Sequence, residues 1–307
     1  NPEWVERVLA ALEERGLLAQ SEGALVVPLD EYDMPPCIVR KSDEASIYAT
    51  RDLAAAFHRM ETYKPALVIY TTDARQKLHF RQVFKVLELA GFDWAGRLVH
   101  VDFGLIRFGG EKLATREGKV VLLEDVLGKA VELTAGIIEE KNPHLECKAE
   151  VARAVGVGAV VFADLVASRV KDTDYTWEDI LSFEGRTGPY CQYVHVRASG
   201  ILRTWGKPVP ESAEPLLALA EEFDLCRRLA DLPAAIRRAA GRFEPSTLAN
   251  WLLDAAEAFN NYYHHHRTIS PDNSPELTAA RVRLMAAVRI AFARALAILG
   301  VAAPERM

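Results

Sequence analysis

The chain has 307 residues, 50% of them apolar and 26% charged, with 37 Lys and Arg against 43 Asp and Glu for a net charge of −6. That length allows two domains, the composition is that of a globular protein, and no apolar run approaches the ~20 residues of a membrane span. Four cysteines, Cys37, Cys147, Cys191 and Cys226, stand far apart with no Cys-x-x-Cys pair; this argues against a structural zinc site or a disulfide framework and suits a reducing cytoplasm.

The first residues read as a capped helix: Asn1 at the N-cap, Pro2 in the first turn, Val5, Val8, Leu9 and Leu12 on one face, and Gly16 at the end. Nothing at the start has the pattern of a signal peptide, and the first residue is not Met, so a trimmed or mid-gene segment is expected. Residues 24–29 and 37–40 read as short strands separated by Pro35-Pro36. Thr50 is the expected N-cap of a helix running to about Met60. A strand-helix-strand unit follows, with an apolar, β-branched strand over 66–71, an amphipathic helix over 75–90 closed by Gly91, and a strand over 98–103. Short connections in this order imply a parallel pair.

Residues 103–121 form the loop around which the first half is organised. It holds Gly104, Gly109, Gly110 and Gly118 together with Arg107, Lys112, Arg116 and Lys119. Glycines let a backbone approach a ligand closely, and each cation is able to meet a phosphate. A loop of this kind at the carboxyl end of a parallel strand suits nucleotide chemistry; an exposed charged hairpin without a ligand is the other reading.

Beyond the loop a helix is expected over 124–140, and then strand signals nearly vanish. Residues 149–170, 177–183, 187–205, 214–230, 233–241, 245–266 and 275–299 all read as helical. An α/β piece followed by a helical bundle results, with the boundary placed at 155/156. Charge divides as well: residues 1–186 carry 23 Lys and Arg against 31 Asp and Glu, a balance of −8, whereas 187–307 carry 14 against 12, a balance of +2, with 13 of those 14 cations arginine. Arginine suits phosphates and base edges, although solvated helix faces use it too.

Several polar residues are placed to carry chemistry. Tyr48 and Asp52 are four apart, and face the same way if their helix begins slightly before Thr50. With Gln76 they would offer a phenol, a carboxylate and a carboxamide, a set that suits a ligand with many N–H donors such as guanidinium; Asp52 as a mere complement to a helix N-terminus is the alternative. His79 lies three residues after Gln76, able to bond a phosphate or ribose or to be structural. The consecutive His264, His265 and His266 point in different directions and cannot converge on one metal. Asn260, Asn261, Tyr262, Tyr263 and Arg267 mix stacking rings with donors, as unpaired RNA bases require, or else line the seams of a bundle. Arg227, Arg228, Arg237, Arg238 and Arg242 could track phosphates.

Taken together, five stretches in order resemble the arginyl-tRNA synthetases, class I aminoacyl-tRNA synthetases. They are Lys41-Ser42-Asp43 with Tyr48-Ala49-Thr50-Arg51-Asp52-Leu53-Ala54; Asp73 to Phe80; Phe103-Gly104-Leu105 with Leu113-Ala114-Thr115-Arg116-Glu117-Gly118; Ser182 to Tyr193; and the ending Ala303-Pro304-Glu305-Arg306-Met307. The resemblance covers nearly the whole chain. It implies part of a Rossmann-like catalytic domain over 1–155, with a loop of the KMSKS type, and an all-α anticodon-binding bundle over 156–307.

By the same resemblance Tyr48, Asp52 and Gln76 hold the substrate L-arginine, and His79 and Gly104 lie where ATP binds. Lys112, Thr115 and Arg116 steady the phosphates, and Mg2+ accompanies ATP. Asn260, Tyr262, Tyr263 and Arg267 face the arginine tRNA. A cytoplasmic monomer with no membrane partner is implied. Two departures stand out: Thr115 occupies the second lysine position of the KMSKS pattern, and Glu44 replaces a glycine. No His-x-Gly-His motif occurs in the chain; in the family it lies upstream, with a tRNA-elbow domain, so the chain is expected to be the C-terminal part of an arginine–tRNA ligase, inactive alone. The rival expectation is a non-catalytic tRNA-binding fragment or paralogue of the same fold.

Overall fold

A computed structural model describes residues 2–41, 47–108, 111–112, 122–211 and 216–307. It divides into two compact units, Asn1–Gly104 and Leu105–Met307. The expected division at 155/156 lies inside the second of these units, where Val155, 1% exposed, sits within a continuous helix.

In the first unit, α1 (Pro2–Glu14) buries Val8, Leu9 and Leu12. A three-stranded antiparallel sheet follows in the order β1 (Ala19–Ser21), β2 (Ala24–Val27), β3 (Cys37–Arg40). The first of these strands, short and half polar, carries no sequence signal of its own. Helix α2 spans Tyr48–Tyr63 with Ile47 at its N-cap. Thr50 is thus inside the helix rather than capping it; it is buried, and its hydroxyl donates to the Val39 carbonyl, tying α2 to β3.

Strands β4 (Val68–Asp73) and β5 (Leu98–Phe103) pair in parallel, Val68 opposite Leu98 and Asp73 opposite Phe103. Between them lies α3 (Lys77–Leu89), which buries Phe80, Val83, Val86 and Leu87. Gly91, with φ +81°, turns the chain out of α3 in a conformation that a side chain resists. The core of this unit joins Leu12, Leu29, Leu53, Phe57, Val83 and Leu87.

The second unit opens on three short strands in the order β7 (Glu111–Lys112), β6 (Ile106–Phe108), β8 (Thr173–Tyr175), with β6 antiparallel to β7 and parallel to β8. Strand β8 was not foreseen, being three residues in a helix-rich stretch. Helices α4 (Leu123–Lys141) and α5 (Lys148–Val166) pack closely because Gly156 lets the α4 backbone at Ala130 and Val131 come within 2.8 Å of where a Cβ would stand. Then come α6 (Trp177–Leu181), α7 (Gly188–Trp205), α8 (Ala220–Arg242), α9 (Ser246–His265) and α10 (Pro275–Ile298). The two helices expected at 214–230 and 233–241 are one. Pro233 lies inside α8 and is exposed; lacking an N–H, it leaves one carbonyl of the preceding turn without its helical donor.

The bundle core gathers Phe162, Leu225, Leu252, Phe259, Met285 and Phe292. The C-terminal tail is knit to it by backbone contacts: Gln192 donates to Ala302 O at 2.8 Å, His195 Nδ1 to Pro304 O at 2.9 Å, and Arg203 to Glu305 O at 2.9 Å.

Candidate functional site

At the carboxyl end of β4, Asp73 caps the turn Ala74–Gln76 that leads into α3. Its carboxylate accepts from the Arg75 backbone N–H at 2.7 Å and from the Arg75 guanidinium at 2.9 and 2.8 Å. The guanidinium first, and then the backbone bond, hold the Asp73 carboxyl down to about 2. Gln76 and Lys77 stand exposed on this turn, and the Lys77 ammonium is 4.0 Å from the buried carboxylate of Asp102 on β5. Gly104, half-buried, follows β5 directly.

Because α2 begins at Tyr48, Tyr48 and Asp52 share a face across one turn. Tyr48 is 80% exposed. Asp52 meets a residue from α3: His79 Nε2 lies 2.7 Å from Asp52 Oδ2. A carboxylate oxygen only accepts, so the ring nitrogen is the donor. His79 sits edge-on to Phe80 at 5.1 Å. Behind this pair is Tyr70 on β4, whose hydroxyl accepts from Arg59 at 3.2 Å. Burial raises the Tyr70 pKa most; Arg59 opposes that and the charge of Asp52 adds to it. Of the four residues expected here, the fold joins Asp52 to His79 directly and leaves Tyr48 and Gln76 at the surface. His79, expected beside ATP, spends one ring nitrogen on Asp52.

The second unit carries the other expected groups. Lys112 lies on β7 opposite Arg107. The Arg107 guanidinium is 3.6 Å from Asp172, so it is not an uncommitted phosphate ligand. Thr115, Arg116 and Lys119 lie outside the described residues. Among the described residues no group of three His, Cys, Asp or Glu side chains converges on a metal position.

On the bundle, Arg197 is held between two rings, 4.4 Å from the Tyr193 centroid and 4.7 Å from that of Tyr263, while its NH1 donates to Asn260 Oδ1 at 2.6 Å. Tyr263 stacks on Phe259 at 5.6 Å and is 39% exposed. The result is a fixed platform of aromatic faces and one guanidinium on α7 and α9. Sequence reasoning found Asn260 and Tyr263 but missed Arg197 as their partner; the spacing of Tyr193 and Arg197, four apart on one helix face, was the available signal.

Tyr262 does not fit the same role. It is 0% exposed in the bundle core, with its hydroxyl 3.4 Å from Thr268, and a ring enclosed in this way has no face for a base. Arg267 is exposed, and its carbonyl accepts from Arg281 and from Asn273, both at 3.1 Å. Arg227 and Arg228 bond Asp224 at 2.6 and 2.9 Å and Arg238 bonds Asp231 at 2.8 Å, all within α8.

Residues 2–177 match the family model for tRNA synthetases class I (R), catalytic domain, and residues 191–307 match that for the DALR anticodon binding domain. The chain belongs to this arginine branch of the class I tRNA synthetases. It is 46% identical over 303 residues to the arginine–tRNA ligase of Clostridium acetobutylicum, covering 99% of this chain and 54% of that protein. It is 47% identical over 300 residues to the arginine–tRNA ligase of Clostridium botulinum, covering 98% and 53%. The chain therefore spans about half the length of the curated relatives it matches. Among solved structures it is similar to the arginyl-tRNA synthetase of Thermus thermophilus, with a TM-score of 0.91 and 28% identity over 99% of this chain and 58% of that one.

Proposed function

We propose that this chain serves a cytoplasmic, monomeric arginine–tRNA ligase that activates L-arginine with ATP and transfers it to its tRNA. The observation that carries the reading is the carboxylate of Asp52, fixed by His79 on a face shared with Tyr48, within a chain of the arginine family. A guanidinium forms charge-assisted, directional bonds to a carboxylate and gives little to neutral groups. Asp52 receives it in this reading, and Tyr48 and Gln76 bond its remaining N–H groups.

The substrate carboxylate then attacks the α-phosphorus of ATP, pyrophosphate leaves, and arginyl-adenylate results. Gly104 gives backbone access on the ATP side, while Lys112, Thr115 and Arg116 stabilise the phosphate charge as pyrophosphate departs. This is positioning and electrostatics without a covalent enzyme intermediate. Mg2+ would accompany ATP and help offset its phosphate charge. No helix of the described residues is long and apolar enough to cross a membrane.

The region matched by the anticodon-binding model takes the tRNA. Asn260, Tyr263 and Arg267, together with Tyr193 and Arg197, offer stacking faces and donors to unpaired bases. Tyr262 is left out because it is core.

Asp52→Asn tests the central assignment in the full gene product. The Michaelis constant for arginine should rise far more than that for ATP, because losing a charge-assisted bond is worth roughly 1.5–3 kcal/mol. Equal effects on both substrates would remove Asp52 from the amino-acid pocket. A non-catalytic tRNA-binding role would instead show tRNA binding with no pyrophosphate exchange at all.

A further inference from the structure

We propose that His79 is a positioning residue for the guanidinium-binding carboxylate, acting through Asp52 and not on ATP. The inference rests on Asp52 receiving the substrate guanidinium. Asp52 lies on α2 with a third of its side chain exposed. An unrestrained aspartate there would sample several rotamers, and every substrate bound would bear the cost of ordering it. The His79 Nε2–H removes that freedom by holding Oδ2 at 2.7 Å, and Oδ1 is left for the substrate. His79 is itself ordered: it is about a quarter exposed, comes from a different helix, and rests edge-on against Phe80, which is 3% exposed.

The choice of imidazole has a chemical reason. Lysine or arginine at this position would also hold the carboxylate, but a full positive charge would compete with the guanidinium for it. An imidazole can donate one hydrogen bond without bringing a permanent charge. The pair therefore keeps the acceptor fixed and partly desolvated before substrate arrives. Packing of α2 and α3 on the same core supplies the rigid frame.

The test compares His79→Leu, which removes the donor, with His79→Gln, whose amide nitrogen can replace Nε2. Pyrophosphate exchange in the full gene product gives the Michaelis constants for arginine and ATP. His79→Leu should raise the arginine constant about tenfold and leave the ATP constant within about twofold, as loss of one bond to a charged group predicts. His79→Gln should recover most of the loss. In an Asp52→Asn background, His79→Leu should add almost nothing, since both changes act through one carboxylate.

A rise in the ATP constant with arginine unaffected would overturn the proposal and return His79 to the nucleotide site. Equal damage from the leucine and glutamine variants would overturn it too, because shape and not the donated bond would then matter. If Asp52→Asn raises the arginine constant and His79→Leu does not, this inference alone falls. If Asp52→Asn leaves the arginine constant unchanged, the guanidinium assignment falls and takes this inference with it.

Discussion

Polar groups are used in opposite ways in the two units. Between Asn1 and Gly104 the buried polar residues described are Thr50 and Asp102, and the pair of interest, Asp52 with His79, is partly open to solvent. Between Leu105 and Met307 the described buried polar residues include Gln192, His195, Ser199, Glu222 and Arg281. Glu222 is 0% exposed, accepts from the backbone N–H groups of Ala218 and Leu219 at 3.0 and 3.1 Å, and takes the Arg281 guanidinium at 2.8 Å. Arg281 in turn holds the Arg267 carbonyl and Asn273. Charge at the surface of a rigid α/β frame is available to a ligand, whereas charge inside the bundle fixes helices and the α9–α10 turn. The Glu222–Arg281 pair thus braces the bundle from within, whereas the Asp52–His79 pair stays partly open to solvent.

The largest expected effect breaks this contrast at its strongest point. Glu222→Ala leaves the buried Arg281 guanidinium without its carboxylate, with only the Arg267 carbonyl and Asn273 as partners, which should cost about 3–5 kcal/mol in a urea unfolding measurement. Glu222→Leu combined with Arg281→Met should recover much of that loss, because a buried pair replaced as a whole is often neutral. In the first unit Asp52→Asn should change stability by no more than about 1 kcal/mol, as for other exposed pairs. If Asp52→Asn destabilised as much as Glu222→Ala, the contrast between the units would be lost.

Next in size is the α4–α5 contact of the second unit. A Cβ at Gly156 would lie 2.8 Å from backbone atoms of Ala130 and Val131, and backbone cannot rotate aside as a side chain can. Gly156→Ala should therefore lower stability by about 1–3 kcal/mol despite alanine's better helix propensity. A neutral or stabilising result would mean that the two helices separate freely.

Periodicity made the helices and the parallel pair legible in the chain; α1, α7, α9 and α10 and strand β5 lie where apolar spacing places them. What spacing could not show is which face of a helix is enclosed by other helices. Tyr262 and Tyr263 are neighbours of the same chemistry, yet one is core and the other 39% exposed. Thr50 looked like a cap because its hydroxyl suits one, and its bond to Val39 is a tertiary contact that no local rule contains. The Asp52–His79 bond joins residues 27 apart in sequence. Each member was visible as a candidate, and their pairing required the fold.

The platform itself gives the next prediction. The chain alone should bind arginine tRNA weakly and with strong salt dependence, since phosphate contacts release counterions. Tyr263→Ala or Arg197→Ala should each weaken binding by roughly 1–3 kcal/mol if a base stacks there, and they should not be additive because the ring and the guanidinium form one stack. Tyr262→Phe should leave affinity unchanged, its ring being enclosed. A filter-binding titration at two salt concentrations separates these outcomes; equal affinity of all variants would move the RNA contact elsewhere on the bundle.

The smallest effect is expected at Asp73, where surface electrostatics act on the turn that carries Gln76 and leads to His79. Asp73→Asn keeps an oxygen for the Arg75 backbone N–H and removes only the charge facing the guanidinium. The folded-state carboxyl titrates at about 2 and the ordinary value is 3.8, so the contribution of its charge is present above 3.8 and is lost as pH falls towards 2. Thermal melts of the two forms should thus differ slightly at neutral pH and converge across that window. Screening makes the difference salt-sensitive as well, because both groups reach solvent. A difference that persisted unchanged to pH 2 would assign the turn's stability to the cap bond alone, and the Asp73–Arg75 ion pair would then have no part in setting where α3 presents His79.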